Sequence, residues 1–198
     1  MTNKQQYIDR LECPSYSRSK APADFDALIH AFTLAMGTQS AGVLIMGDTG
    51  NGKTTALCNL LPVTAKRAFF DCKLKFDCER LICDGDTKYL PFIEAGNNVI
   101  LDDIGRDRVI IDYADKIDSI YDFVIAFYEH GQKSKNGARF FGTTNNTIAQ
   151  LKARYDNVMV DRLMSMVILV NFHGGSQREM PRVFGKPYER IESVKRKV

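Results

Sequence analysis

The sequence predicts an α/β fold, a parallel sheet with helices on both faces. Three observations predict it. Short apolar runs recur at 43–46, 98–102, 138–142 and 166–171, each continuous instead of alternating, as in strands buried on both faces. Segments with helical spacing separate these runs, so neighbouring strands join by crossovers and run parallel. A glycine-rich loop connects the first run directly to a helix, the arrangement in which main-chain amides collect at a helix start.

Taken in order, residues 1–23 are polar and broken by Pro14 and Pro22, with Ser15, Ser17 and Ser19 between. They read as an arm or linker and not as a folded unit. Asp24 is expected to cap a helix in which Phe25, Leu28, Ile29, Phe32 and Ala35 share a face, and Gly37 ends it. The strand Val43-Leu-Ile-Met46 runs into the glycine-rich loop. A helix over 54–61 stops at Pro62, and a strand follows at 67–71. Weaker helical patterns lie at 78–83 and 89–95. Asn98-Val-Ile-Leu-Asp102 is the next buried strand. A long helix is expected over 113–133, where Ile117, Ile120, Tyr121, Val124, Ala126, Phe127 and Tyr128 form one broad side. A strand at 138–142, helices at 148–155 and 158–164, and a last strand at 166–171 complete the pattern. Residues 24–185 therefore read as one domain and 186–198 as a basic, polar tail.

Composition sets limits on function. The chain has 198 residues, 44% of them hydrophobic and 26% charged, which suits one ordinary globular domain and excludes a disordered or collagen-like chain. A net charge of +3 excludes a wholesale nucleic-acid coat, leaving room for a local basic patch. No apolar run reaches the roughly 18 residues that span a bilayer, and the start lacks the apolar core of a signal peptide. The expectation is a cytoplasmic protein without a membrane partner. The five cysteines are scattered and odd in number, as reduced thiols are. Cys72, Cys78 and Cys83 match no zinc-ligand spacing.

Chemistry concentrates at three places. Gly47-Asp-Thr-Gly50-Asn-Gly52-Lys53-Thr54 is a complete G-x-x-x-x-G-K-[ST] match between a strand and a helix. Glycines let successive N–H groups turn inward toward phosphate oxygens. Lys53 reaches the β- and γ-phosphates, and the Thr54 hydroxyl ligates Mg²⁺. The second place is Asp102-Asp103 at the end of a buried strand, where open parallel sheets hold their ligands. Asp102 would hold Mg²⁺ directly or through water, and Asp103 would take a proton from the attacking water or orient it. The third is Thr143-Thr144-Asn145 after an apolar strand. Asn145 is the first choice to orient the water, with Thr144 second.

Together with Arg154-Tyr155 and Val160-Asp161-Arg162-Leu163, these stretches resemble the AAA+ ATPases, in particular the DnaC-type helicase loaders and the related IstB-like ATPases. The resemblance covers roughly residues 24–178. It implies a P-loop NTPase of the AAA+/ASCE type, a three-layer α/β/α sandwich on a parallel sheet. The stretch after Arg178 is too short for the helical lid of most AAA+ proteins, so no C-terminal lid domain is expected. ATP is then bound by Gly47, Asp48, Thr49, Gly50, Asn51, Gly52, Lys53, Thr54 and Thr55, with Arg178 contacting it from the same chain. Thr54 and Asp102 become the Mg²⁺ residues. Lys53, Asp103, Asn145 and Arg162 become the catalytic set, Arg162 entering a neighbouring copy's site as an arginine finger. Gln177 stands where an aromatic residue is usual.

The partners implied are a second copy of the chain, a replicative helicase or a transposase, and DNA, expected to be single-stranded. Arg106 and Arg108 form one basic group placed to meet DNA, and Lys133, Lys135 and Arg139 form another. The stripped-down ends suit a phage or other mobile element. The expected function is an ATP-hydrolysing helicase-loader-like protein in DNA replication, with an IstB-like ATPase assisting a transposase as the alternative. A small-molecule kinase fits less well, because no arginine-rich substrate lid lies between Thr87 and Asp103. A GTPase is disfavoured, because no N-K-x-D sequence occurs.

Overall fold

A computed structural model describes residues 3–12, 18, 21–38, 41–61, 67–74, 77, 89–107, 110–112, 115–131, 137–175, 182–183 and 186–187. In chain order the elements are α1 (Asn3–Leu11), α2 (Pro22–Gly37), β1 (Gly42–Gly47), α3 (Lys53–Leu60), β2 (Arg67–Asp71), α4 (Leu90–Glu94) and β3 (Asn98–Ile104). A short antiparallel hairpin follows, β4 (Ile110–Asp112) and β5 (Asp115–Ile117). Then come α5 (Ser119–Gly131), β6 (Phe140–Thr144), α6 (Ile148–Arg154), α7 (Asn157–Met166) and β7 (Val167–Phe172), and a second small hairpin, β8 (Arg182–Val183) with β9 (Lys186–Pro187).

The main sheet has five strands in the order β2-β3-β6-β1-β7, and every neighbouring pair is parallel. Successive side chains on a strand point to opposite faces, and the core divides accordingly. Val43, Ile45, Ile100, Phe141, Val170 and Phe172 pack against α1, α2 and α3. Leu44, Val99, Leu101 and Phe140 pack against α4, α5 and α7. Three layers result, with apolar runs in the middle because both faces are covered. Ring pairs link sheet to helix on each side, Phe141 with Phe32 at 5.9 Å and Phe140 with Phe127 at 5.3 Å between centroids.

The strand that carries Asp102 and Asp103 is irregular. Leu101 pairs with Gly142 and Ile104 with Thr144, so β3 spends one residue more than β6 over that interval. Such a bulge re-aims side chains at a sheet's end. Asp103 takes up the kink at φ 57, a left-handed conformation that costs a non-glycine residue about 1–3 kcal/mol. Gly105 follows at φ 91, where only glycine is at ease.

Several expectations need correction. The helix expected from 113 starts at Ser119, and the apolar residues before it form the β4–β5 hairpin. The expected arm contains α1, with Leu11 fully buried against α2 and α3 and Tyr7 packed edge-on against Phe32 at 4.9 Å. Asp24 does not cap α2, which begins two residues earlier at Pro22 with no side-chain cap. Its buried carboxylate instead accepts the main-chain N–H groups of His173 and Gly174 at 2.9 and 2.8 Å, fastening α2 to the end of β7. The helical pattern at 78–83 and most of the basic tail lie outside the described residues.

Candidate nucleotide site

The loop after β1 winds through Gly50 at φ 92 and Gly52 at φ 88 before α3 begins at Lys53. No side chain caps α3, and its first intrahelical bond runs from the Ala56 N–H to the Gly52 carbonyl at 2.9 Å. The amides of the first turn are therefore left to a ligand or to water. The Lys53 ammonium folds back over the loop. It donates to the carbonyls of Gly47 (2.8 Å) and Asp48 (2.7 Å) and to the side-chain oxygens of Asn51 (3.1 Å) and Asn145 (2.7 Å).

Sheet order brings the other groups to this loop. β6 lies between β1 and β3, so the residues ending β6 stand between the loop and the two aspartates. Asn145 bridges them: its Oδ1 accepts from Lys53, and its Nδ2 donates to Asp103 Oδ1 at 2.8 Å. Thr54 Oγ1 donates to Asp102 Oδ1 at 2.7 Å. Thr143 Oγ1 donates to the same oxygen at 2.5 Å and accepts the Asp103 N–H at 2.9 Å. Burial pushes the Asp102 carboxyl above its ordinary range; hydrogen bonds from Thr143 and Thr54 pull it back, while the charges of Asp103 and Asp71 raise it further.

Sequence reasoning gave three of these residues no role. Thr143 was readable by parity, since positions 143 and 145 leave β6 on the same side. Asp71 ends β2 directly opposite Asp102 in the register, and a carboxylate at the end of a parallel strand is itself a signal. Lys73 follows it and places its ammonium 2.6 Å from Asp103 Oδ2 and 3.8 Å from Asp71 Oδ2. That hydrogen bond and the neighbouring carboxylates push the Lys73 ammonium up, against a smaller effect of burial. Nothing in sequence spacing pairs Lys73 with Asp103.

Thr144, the second choice for orienting a water, is turned away. Its hydroxyl donates to the Ile104 carbonyl at 2.7 Å and accepts the Asn146 N–H at 3.0 Å. Lys53, Thr54, Asp102, Asp103 and Asn145 are thus brought together with the loop residues Gly47, Gly50, Asn51 and Gly52, while Asp48 and Thr49 are exposed on its rim and Thr55 is half-buried. Arg162 stands apart on α7, its guanidinium 4.2 Å above the Tyr128 ring of α5. Arg178, Arg108, Lys133 and Lys135 lie outside the described residues. Arg139 donates to the Thr38 carbonyl at 2.9 Å, and Arg106 is exposed.

The residues fit a phosphate chain with a hard divalent cation. Asn51 is buried, and its Nδ2 has no hydrogen-bond partner in the cradle. Carboxylate oxygens of Asp71, Asp102 and Asp103 converge within 4.8 Å, with the Thr54 hydroxyl beside them. Such an all-oxygen donor set suits Mg²⁺.

Among solved structures, the chain is similar to the DnaC helicase loader, with a TM-score of 0.57 and 20% identity over 85% of this chain and 99% of that one. The chain has a P-loop AAA+ fold. It is also similar to AMPPCP-bound DnaA from Aquifex aeolicus, at a TM-score of 0.52 and 13% identity, covering 76% of this chain and 47% of that one. A replication initiator DnaA bound to AMPPCP and single-stranded DNA gives 0.50 and 13%, over 75% and 44%. The chain thus spans about half the length of the DnaA proteins. No protein-family model and no curated protein matches the sequence. No helix among the described residues is long and apolar enough to cross a membrane.

Proposed function

We propose that the chain binds and hydrolyses ATP with Mg²⁺ and acts in DNA replication as a helicase-loader-like ATPase. The observation that carries this reading is one run of contacts, from Lys53 through Asn145 to Asp103, beside the Thr54–Asp102 pair. It joins a phosphate-binding cation to a candidate base through a single amide side chain. The main-chain amides of the loop and of α3's first turn bind phosphate oxygens. Lys53 exchanges its loop carbonyls for phosphate oxygens, which are stronger acceptors because they are charged. Thr54 and Asp102 hold Mg²⁺, which when bound supplies positive charge against the β- and γ-phosphates. Asp103 takes a proton from the attacking water or orients it, and Asn145 fixes both Asp103 and the Lys53 end of the cradle.

Arg162 has no polar contact with this cradle among the described residues, which supports its acting on a neighbouring copy. The likeness to the DnaC helicase loader over nearly that chain's whole length supports a loader role and a helicase as partner. DnaA holding AMPPCP and single-stranded DNA supports a nucleotide-dependent contact with single strands.

Calorimetry with ATP and Mg²⁺ tests the core of the reading. Wild type should bind, Lys53→Ala should lose binding, and Asp103→Asn should bind and lose turnover by about two to four orders of magnitude. Normal turnover in Asp103→Asn removes its assigned role. Pull-down of a replicative helicase supports the loader role, and capture of a transposase in its place overturns it.

A further inference from the structure

The Asp103 turn is held from outside the nucleotide cradle. Its carboxylate is gripped by Asn145 and Lys73. Its N–H is held by Thr143, and its carbonyl accepts the Arg106 N–H at 3.1 Å. The Ile104 carbonyl accepts from the Thr144 hydroxyl at 2.7 Å and the Gly105 carbonyl from the Asn146 side-chain amide at 3.4 Å, which leaves the Gly105 N–H to a residue on another segment. The Gly105 N–H donates to the Tyr155 hydroxyl at 3.0 Å, fifty positions along the chain.

That hydroxyl is itself fixed. It donates to Asp107 Oδ1, whose side chain is 1% exposed. Arg154 Nη2 holds the other Asp107 oxygen at 2.7 Å, and Arg154 Nη1 holds Asp118 Oδ2 at 2.8 Å. Asp107 and Asp118 flank the β4–β5 hairpin, so one guanidinium staples both of its ends. The next residue, Asp156, caps α7 through the Met159 N–H at 2.8 Å and accepts the Tyr121 hydroxyl of α5 at 3.2 Å. Three consecutive residues therefore bind the turn after Asp103, the root of the hairpin and the start of the helix that carries Arg162.

We propose that Tyr155 is a positioning residue for the hydrolytic step, setting the turn that presents Asp103 in its own subunit. Asp103 sits in a left-handed conformation that a free turn would relax. The phenol supplies the acceptor for the part-buried Gly105 N–H, and the Asp107–Arg154 pair keeps the phenol aimed there. Without the hydroxyl the N–H is orphaned, the turn shifts, and the carboxylate leaves its place beside Asn145. The proposal rests on the reading above for the role of Asp103.

Tyr155→Phe removes one oxygen and tests it. Expected is a kcat lower by on the order of tenfold to a hundredfold, the loss typical of a reacting group displaced by about 1 Å. The ATP dissociation constant should stay within about twofold of wild type, because the cradle is untouched. A kcat within about twofold of wild type, or a parallel loss of ATP binding, overturns the proposal. Mixing experiments separate this role from a purely structural one. Mixed with Arg162→Ala, Tyr155→Phe should restore turnover, since it lends an intact arginine to an intact site; mixed with Asp103→Asn it should not. The reverse pattern places its effect on α7 and overturns the proposal.

The reading of Asp103 fails separately, if Asp103→Asn hydrolyses ATP normally. If Arg162→Ala with Asp103→Asn gives no rescue, the shared site falls, and the kcat-against-affinity split in Tyr155→Phe alone decides. Should Tyr155→Phe fail to fold, Asp107→Ala leaves Arg154 paired to Asp118 and unfixes the phenol. It should lower kcat with ATP affinity kept, and unchanged kcat overturns the proposal.

Discussion

Lys73 shows how much at this site depends on one side chain that no motif contains. Its ammonium lies against the Asp103 oxygen that Asn145 does not use, so both carboxylate oxygens are engaged. Each oxygen keeps a second lone pair for a water to be activated, and the Lys73 ammonium takes one of the approaches to Oδ2. Lys73 is 41% exposed, and ion pairs in contact with solvent are worth about 0–1 kcal/mol, so the grip is easily released. Lys73→Met is expected to raise basal ATP turnover by up to about fivefold, the equivalent of that energy, with ATP affinity little changed. A steady-state assay at saturating ATP checks it; a fall in turnover would make Lys73 a support of Asp103 and not a restraint. The residues of the glycine-rich loop and the paired aspartates were readable because phosphate chemistry fixes their type and spacing. Lys73 was not, and Tyr155 was named only within the Arg154-Tyr155 stretch and without a role, because both reach the same place from segments whose spacing to it is set only by the fold.

At the scale of elements, β1, β3, β6 and the partly buried edge strand β7 were legible because helices packed on both faces leave an unbroken apolar run. β2 was legible from Phe69 and Phe70 at the centre of 67–71. The bulge in β3 was not, since it depends on the register with β6 and not on the composition of either strand. The long helix was placed too early for a related reason. Ile117 falls on the same helical stripe as Ile120 and Val124, yet Ile110, Ile111 and Ile117 belong to the hairpin stapled by Arg154. The better signal was Asp118-Ser119, typical helix-start residues. α1 was missed because its apolar stripe is narrow: Tyr7, Ile8 and Leu11 lie between polar residues and two prolines. It is nevertheless packed, and Leu11→Ala is expected to cost about 2–5 kcal/mol of stability, as buried leucines do. Urea unfolding would measure it, and a midpoint unchanged from wild type would show that α1 adds nothing to the core.

For the whole molecule, the arrangement of Arg162 sets the behaviour to look for. It stacks on Tyr128 of its own chain at 4.2 Å, a contact worth about 0.5–1 kcal/mol at a partly exposed site, and on the function proposed above a neighbour's phosphate would be the stronger attraction. Specific ATPase activity is therefore expected to rise with protein concentration and then level off as copies associate, and Arg162→Ala should flatten that rise. Activity per chain that is constant across a wide dilution series would show a self-sufficient site. A different contact governs how the domain is completed. The Asp24 carboxylate is satisfied by amides up to 150 positions away, so the α2 end of the molecule acquires its last partners only when β7 has been made. A ribosome thus holds an unfinished latch until β7 has emerged, and the helix layer that includes α2 closes by docking an earlier segment onto a much later one.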